Sequence, residues 1–167
     1  MKIKSYNNIF AVLLGGILLL GMSAPEESKD QEDNSKILVE IFLATQHKQN
    51  LAQIKKEFES FSITNVRAQF FRAGNPPQNI AIGKNITAPV ARLAIKIAID
   101  YNRGIKFLLP EERLSPNYIA IGTSIFDELF QVAISPEDLE RLSDPSLTTS
   151  QFHALYKHLT GEDKRPQ

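Results

Sequence analysis

Between Ile80 and Leu109 two short apolar runs flank a segment of helical length, and this stretch most restricts what the chain can fold into. Ile80-Ala-Ile-Gly83 and Ile105-Lys-Phe-Leu-Leu109 read as strands. Between them, Val90, Leu93, Ala94, Ile97, Ala98 and Tyr101 follow the i, i+3, i+4, i+7 spacing of one buried helical face. Thr87 suits an N-cap, and Pro89 falls in the first turn, where a missing N–H is not needed. Gly104 can take the left-handed conformation that ends a helix. A strand–helix–strand unit buries its apolar faces only against further elements, and the rest of the chain after residue 36 has the pattern to supply them.

Ile37–Thr45 alternates as a strand, with Ile37, Val39, Ile41 and Leu43 on one face and Leu38, Glu40 and Phe42 on the other. A helix is expected near His47–Phe61, where Leu51, Ile54, Phe58 and Phe61 recur at helical spacing. Val66–Arg72 reads as a second strand, with Val66, Ala68 and Phe70 opposite Arg67, Gln69 and Phe71. Gly74-Asn-Pro-Pro77 must turn, because paired prolines cannot continue a ladder. Tyr118–Ile121 is a further short strand. Ile80-Ala-Ile-Gly-Lys-Asn-Ile86 aligns with Ile119-Ala-Ile-Gly-Thr-Ser-Ile125, which suggests two strand-to-helix turns of similar geometry at Gly83 and Gly122. Near the C-terminus, Ser135-Pro-Glu-Asp138 and the capping box Thr148-Thr-Ser-Gln151 each start a helix, the second carrying the stripe Phe152, Leu155, Tyr156, Leu159.

The chain has no cysteine, which excludes disulfides, thiolate metal sites and a cysteine nucleophile. Lys plus Arg and Asp plus Glu both number 19, so no global charge points to nucleic acid or to an anionic membrane. The first eight residues carry Lys2 and Lys4 without an acid, and Ile9–Met22 is an almost unbroken apolar run. Residues 1–24 thus read as an export signal or, if uncleaved, an N-terminal membrane anchor, although the run is short of the roughly 20 residues of a span. Export to the cell envelope, the periplasm or beyond is the expectation, with the membrane involved only through this segment. Pro25–Lys36 is acidic and lacks large apolar residues, as a flexible linker does. Residues 37–162 are expected to form one domain and 163–167 a disordered tail.

Several fragments of catalytic motifs fail on their spacing. Gly83-Lys84 lacks the earlier glycine and the following Ser or Thr of a phosphate loop; Gln78 and Asn85 stand there instead. Gly122-Thr-Ser124 is half of a nucleophile elbow, with Phe126 in place of the second glycine. His47, His153 and His158 are the three histidines; the last two are five apart, a poor metal pair, and read as surface or helix-flank residues. Glu111-Glu112 and Asp127-Glu128 are neighbours in sequence, which does not set two carboxylates across a substrate. Arg92, Lys96, Asp100 and Arg103 read as the solvated side of the central helix. No cofactor, metal site or catalytic residue is expected from these patterns.

One feature remains: the sheet face away from the core. Strand alternation places Glu40 and Phe42 beside Arg67, Gln69 and Phe71, with Lys106 and Leu108 further across. Aromatic rings mixed with hydrogen-bonding groups suit a polysaccharide or a peptide. The competing possibility is that the C-terminal helices cover this face and make Phe42 and Phe71 core.

Ile37–Gln46 followed by Leu51-Ala-Gln-Ile-Lys-Lys-Glu-Phe58, and Asn79-Ile-Ala-Ile-Gly83 followed by Val90-Ala-Arg-Leu-Ala94, resemble the strand, helix and glycine-turn order of the sporulation-related repeat (SPOR) domain. The LytR-type C-terminal domain has a similar order. This resemblance implies an α+β, ferredoxin-like βαββαβ sheet with helices on one face, here with an extra short strand and a C-terminal helical extension. It also implies binding of peptidoglycan glycan strands that lack stem peptides, which by strand position falls on Glu40, Phe42, Gln69 and Phe71. The glycine expected after the first strand is missing from Thr45-Gln-His-Lys-Gln49, and Asn85 replaces an expected aromatic. The resulting expectation is a non-catalytic envelope module that binds peptidoglycan or an envelope protein. The alternative is a small exported hydrolase with its site at the Gly83 and Gly122 turns.

Overall fold

The computed structural model describes residues 33–71, 74–124 and 130–162. The export or anchor segment, most of the acidic linker, Arg72, the Asp127-Glu128 pair and the C-terminal tail lie outside the described residues. Strands β1 (Leu38–Ala44), β2 (Val66–Phe71), β3 (Asn79–Ile82), β4 (Phe107–Leu109), β5 (Tyr118–Ile121) and β6 (Val132–Ala133) and helices α1 (Leu51–Glu59), α2 (Ala88–Tyr101), α3 (Pro136–Leu142) and α4 (Thr149–Thr160) follow in the order β1-α1-β2-β3-α2-β4-β5-β6-α3-α4. The last linker residues already belong to the fold: Asn34–Lys36 form a 3-10 turn, and Asn34 donates to the Phe61 carbonyl at 3.0 Å.

Among the described residues the six strands form one mixed sheet in the order β2-β1-β5-β3-β4-β6. The class is α+β, but the strand order is not ferredoxin-like. In a split βαβ unit another strand lies between the two that a helix connects. Here β1 and β2, joined through α1, hydrogen-bond directly in parallel, and β3 and β4 do the same through α2. Strand β5 then fills the space between the two units, parallel to β1 and antiparallel to β3. The unanticipated β6 pairs antiparallel to β4 on the far edge.

The antiparallel β3–β5 pair separates the two repeated glycine turns. Gly83 donates its N–H to Tyr118, at the start of β5, whereas Gly122 donates to Asn79, at the start of β3. They stand at opposite ends of the sheet, four residues and about 13 Å apart along a strand. Their reasons for being glycine also differ. A Cβ on Gly83 would overlap the carbonyls of Ser115 and Pro116. Gly122 has a positive φ of 70°, and a Cβ there would come 2.6 Å from Asn102 Nδ2.

One sheet face carries the core. Val39, Ile41, Leu43, Ile80, Ile82, Leu108, Ile119 and Ile121 cluster with Ile54 and Phe58 of α1, the buried side of α2, Leu142 of α3, and Phe152 and Tyr156 of α4. All four helices therefore lie on this face. Helix α2 buries more than one narrow stripe, because α1 and α4 both pack against it: Ala91 and Ile95 are buried along with Val90, Ala94, Ile97 and Ala98. The capping box of α4 forms as the sequence indicates, with Gln151 N–H donating to Thr148 Oγ1 at 3.3 Å and Thr148 N–H donating to Gln151 Oε1 at 2.9 Å. Leu108 belongs to this core, in register with Ile80. The expectation that placed it on the opposite face was one residue out of phase, which in a strand exchanges the faces completely. On the second face a smaller cluster of Ala81, Leu109 and Ala120 is packed by Leu114 and Tyr118.

Candidate functional site

The five residues singled out on the second face do share it. In the β1–β2 register Glu40 opposes Arg67, Phe42 opposes Gln69, and Ala44 opposes Phe71. No described helix covers them, since α3 and α4 join the core on the other side. They are nevertheless unequal. Phe42 is buried, at 3% exposure, and serves as a floor, with the half-buried Phe71 ring edge-on to it at 6.4 Å. Arg67 and Gln69 are exposed, while Glu40 is half-buried and accepts a hydrogen bond from the Tyr118 hydroxyl at 2.8 Å. Burial pushes the Tyr118 phenol pKa up, and the neighbouring Glu40 carboxylate adds to this, so the hydroxyl remains a donor throughout the physiological range. The resulting surface has a guanidinium, an amide and a ring along β2, with a fixed carboxylate beside them on β1.

A second cluster escaped the sequence reading. His153, expected at a surface or helix flank, is 9% exposed and bonded at both ring nitrogens. Nδ1 pairs with the Glu111 carboxylate, and Nε2 donates to the Ile86 carbonyl at 2.7 Å. With an acceptor on each side, the pair holds two protons, one on Nε2 and one between Nδ1 and the carboxylate. Burial works against the charged imidazole, but the Glu111 and Ile86 acceptors outweigh it against the opposing Lys157 charge, and the His153 pKa is raised. The other Glu111 oxygen, Oε2, accepts no hydrogen bond among the described residues and has Lys157 Nζ at 3.4 Å as its charge partner. Glu162 accepts the Glu111 N–H at 2.7 Å and the Glu112 N–H at 3.2 Å. A shallow concavity of about 520 Å³, lined by Lys84, Thr149, Ser150 and Lys157 among others, lies over the pair.

This cluster fixes structure. It joins the end of β4, the turn before α2 and the face of α4 through one imidazole whose two nitrogens are both hydrogen-bonded within the fold. Ser124 is exposed and hydrogen-bonds neither His153 nor His47, whose ring packs edge-on against Tyr101 at 6.0 Å. Gly83 and Gly122 lie at opposite ends of the β3–β5 pair, so the two turns do not converge on one small ligand. Among the described residues, no group of three or more His, Asp or Glu side chains is placed to hold a metal ion. Nor is any described helix long and apolar enough to cross a membrane. Comparison with protein-family models, with curated proteins and with solved structures finds no match to this chain.

Proposed function

We propose that this chain is a non-catalytic binding module of the cell envelope, which holds a peptidoglycan glycan strand across the β1–β2 part of its second sheet face. The observation that carries the reading is the exposure of Arg67 and Gln69 in line with Phe71, on a face from which all four described helices are absent. Glycans are bound by rings that cover their apolar C–H faces and by planar polar groups that meet their hydroxyls and amides. This surface supplies both on strands held rigid by the core beneath. Among the described residues strand β2 is also a sheet edge, which suits a long polymer that runs past it. The basic, then apolar N-terminal residues support an envelope address.

The reading is tested by co-sedimentation of the full chain with insoluble sacculi before and after removal of stem peptides. Retention should grow when the peptides are removed and fall in Gln69→Ala and Phe71→Ala. An envelope protein as ligand would appear instead as no retention on either preparation, and that result would overturn the glycan assignment.

A further inference from the structure

The two edges of the sheet end differently. Strand β6 is two residues long, a length that offers little to pair with. Strand β2 is six residues long, has no proline or bulge, and among the described residues no strand pairs with its outer side. Val39 donates to the Asn65 carbonyl and lies in register with Val66, which sets the alternation of the ladder. The backbone groups of Arg67 and Gln69 therefore turn to β1, and those of Ala68 and Phe70 turn outward. The N–H of Val66 is already given to the Thr64 carbonyl at 3.0 Å. Ala68 and Phe70 thus present N–H and C=O groups along an open edge.

We propose that this edge pairs antiparallel with β2 of a second copy of the chain, about a two-fold axis through Gln69. A two-fold contact has to be self-complementary, so that each residue meets the one that meets it. Setting Gln69 opposite its counterpart sets Ala68 opposite Phe70 and Arg67 opposite Phe71. Ala68 and Phe70 then exchange all their outward N–H and C=O groups, and a small side chain meets a large one. Arg67 and Phe71 fall at non-hydrogen-bonded positions, where side chains come closest. Arg67 is exposed and forms no ion pair with Glu40 across β1–β2; that carboxylate is held by Tyr118 from the other side. Its guanidinium can lie over the half-buried Phe71 ring of the other copy, a cation–π contact that the symmetry repeats. The exposed Gln69 amides meet at the axis, each with a donor and an acceptor for the other. A two-fold through Ala68 would instead bring Phe70 to Val66, whose N–H is committed to Thr64. The 19 basic and 19 acidic residues cancel, so no net charge keeps two copies apart. An unrelated extended peptide would find the same backbone groups; the match of Arg67 to Phe71 and of Ala68 to Phe70 within one strand favours a second copy. The pairing continues the second face from one copy into the next and does not depend on what that face binds.

The chain has no cysteine of its own, so a single introduced thiol reports the register. Under mild oxidation Gln69→Cys should form a disulfide-linked dimer, because facing residues of a non-hydrogen-bonded pair bring their Cβ atoms within bridging reach. Arg67→Cys, also exposed, would lie about 14 Å along the strands from its counterpart and should stay unlinked. Sedimentation equilibrium of the full chain should show a reversible monomer–dimer equilibrium between micromolar and millimolar concentration, as suits a contact of small area. Gln69→Lys and Gln69→Glu each set like charges face to face on the axis, and each should weaken the dimer severalfold whatever the sign. Gln69 is exposed, so the melting temperature of the dilute chain should not change. Association that persists unchanged in both variants, as a contact through the apolar N-terminal residues would, overturns the proposal. Equal cross-linking of Arg67→Cys and Gln69→Cys also overturns it. A wild-type chain that is monomeric throughout would overturn it as well and leave the edge to a strand of another protein.

Discussion

Replacing Glu111 with Gln should remove a pH dependence that the fold builds into its stability. In the folded chain His153 is held between two acceptors and its pKa is raised; in the unfolded chain it returns to about 6.5. A group whose folded pKa is the higher one stabilises fully below its unfolded pKa and loses that contribution as pH rises through the folded value. In the window between the two, the native state holds the extra proton, and the free energy of unfolding falls by up to about 1.4 kcal/mol per pH unit. The other charges facing the pair are Lys157, which opposes the protonated form, Lys84 across the concavity, and Glu162 on the adjoining backbone. Glu111→Gln keeps an acceptor for Nδ1–H but removes the charge that favours the imidazolium. Thermal or urea unfolding between pH 5 and 9 should show wild-type stability decreasing above about pH 6.5, with a clearly flatter profile in the variant. The difference between the two should be greatest at the acid end. His153→Ala, which leaves the buried Glu111 with Lys157 as its remaining charge partner, should cost about 2–4 kcal/mol at pH 6, or roughly 10 °C in melting temperature. A wild-type profile that is flat over this range, or an identical slope in Glu111→Gln, would refute the reasoning.

Other expectations follow from the same packing. Gly83→Ala should destabilise by about 1–3 kcal/mol through overlap with the fixed carbonyls of Ser115 and Pro116, measurable as a lower urea midpoint with unchanged slope. Tyr156→Phe removes the buried hydroxyl that donates to the Leu109 carbonyl at 2.8 Å, and should cost about 1–2 kcal/mol in the same measurement. Thr148→Ala breaks the capping box of α4 and should cost about 1 kcal/mol, with earlier amide exchange in the first turn of that helix.

Local structure was well marked in the sequence wherever one short stretch decides it. Thr148 and Gln151 stand three apart before an apolar run, and that spacing alone specifies the cap. Tyr118–Ile121 is a strand with the boundaries its apolar run suggests. Alternation along β1 and β2 placed Glu40, Phe42, Arg67, Gln69 and Phe71 on one face without any knowledge of the sheet. Strand order is a different matter, because β3 and β5 are apolar on both faces and β1 is so apart from Glu40, and nothing in their composition says which neighbours which. That ambiguity hid the unsplit βαβ units and made the Gly83 and Gly122 turns look equivalent. Phase in β4 was lost for a related reason: Phe107 and Leu108 are both large and apolar, so the run offers no contrast to set the alternation.

The His153 pair shows a further limit. Its partner Glu111 lies 42 residues away, and a lone histidine one place off the Phe152 stripe carries no sign of burial. A usable signal did exist, since Thr149, His153, Tyr156 and Thr160 recur at i, i+4, i+7 and i+11 along one side of α4. In the fold that side meets backbone ends: His153 donates to the Ile86 carbonyl and Tyr156 to the Leu109 carbonyl. Phe42 is the converse case, expected either as a ligand contact or as core beneath the C-terminal helices; it is buried as the support of Phe71, with those helices on the other face.

The most direct measurement of the central claim is a backbone amide chemical-shift titration of the full chain with soluble glycan fragments freed of stem peptides. The account predicts saturable shifts confined to β1 and β2, largest around Arg67, Gln69 and Phe71, with α4 and the Glu111–His153 region unmoved. Shifts centred on the concavity beside His153, or none at millimolar fragment, would contradict it.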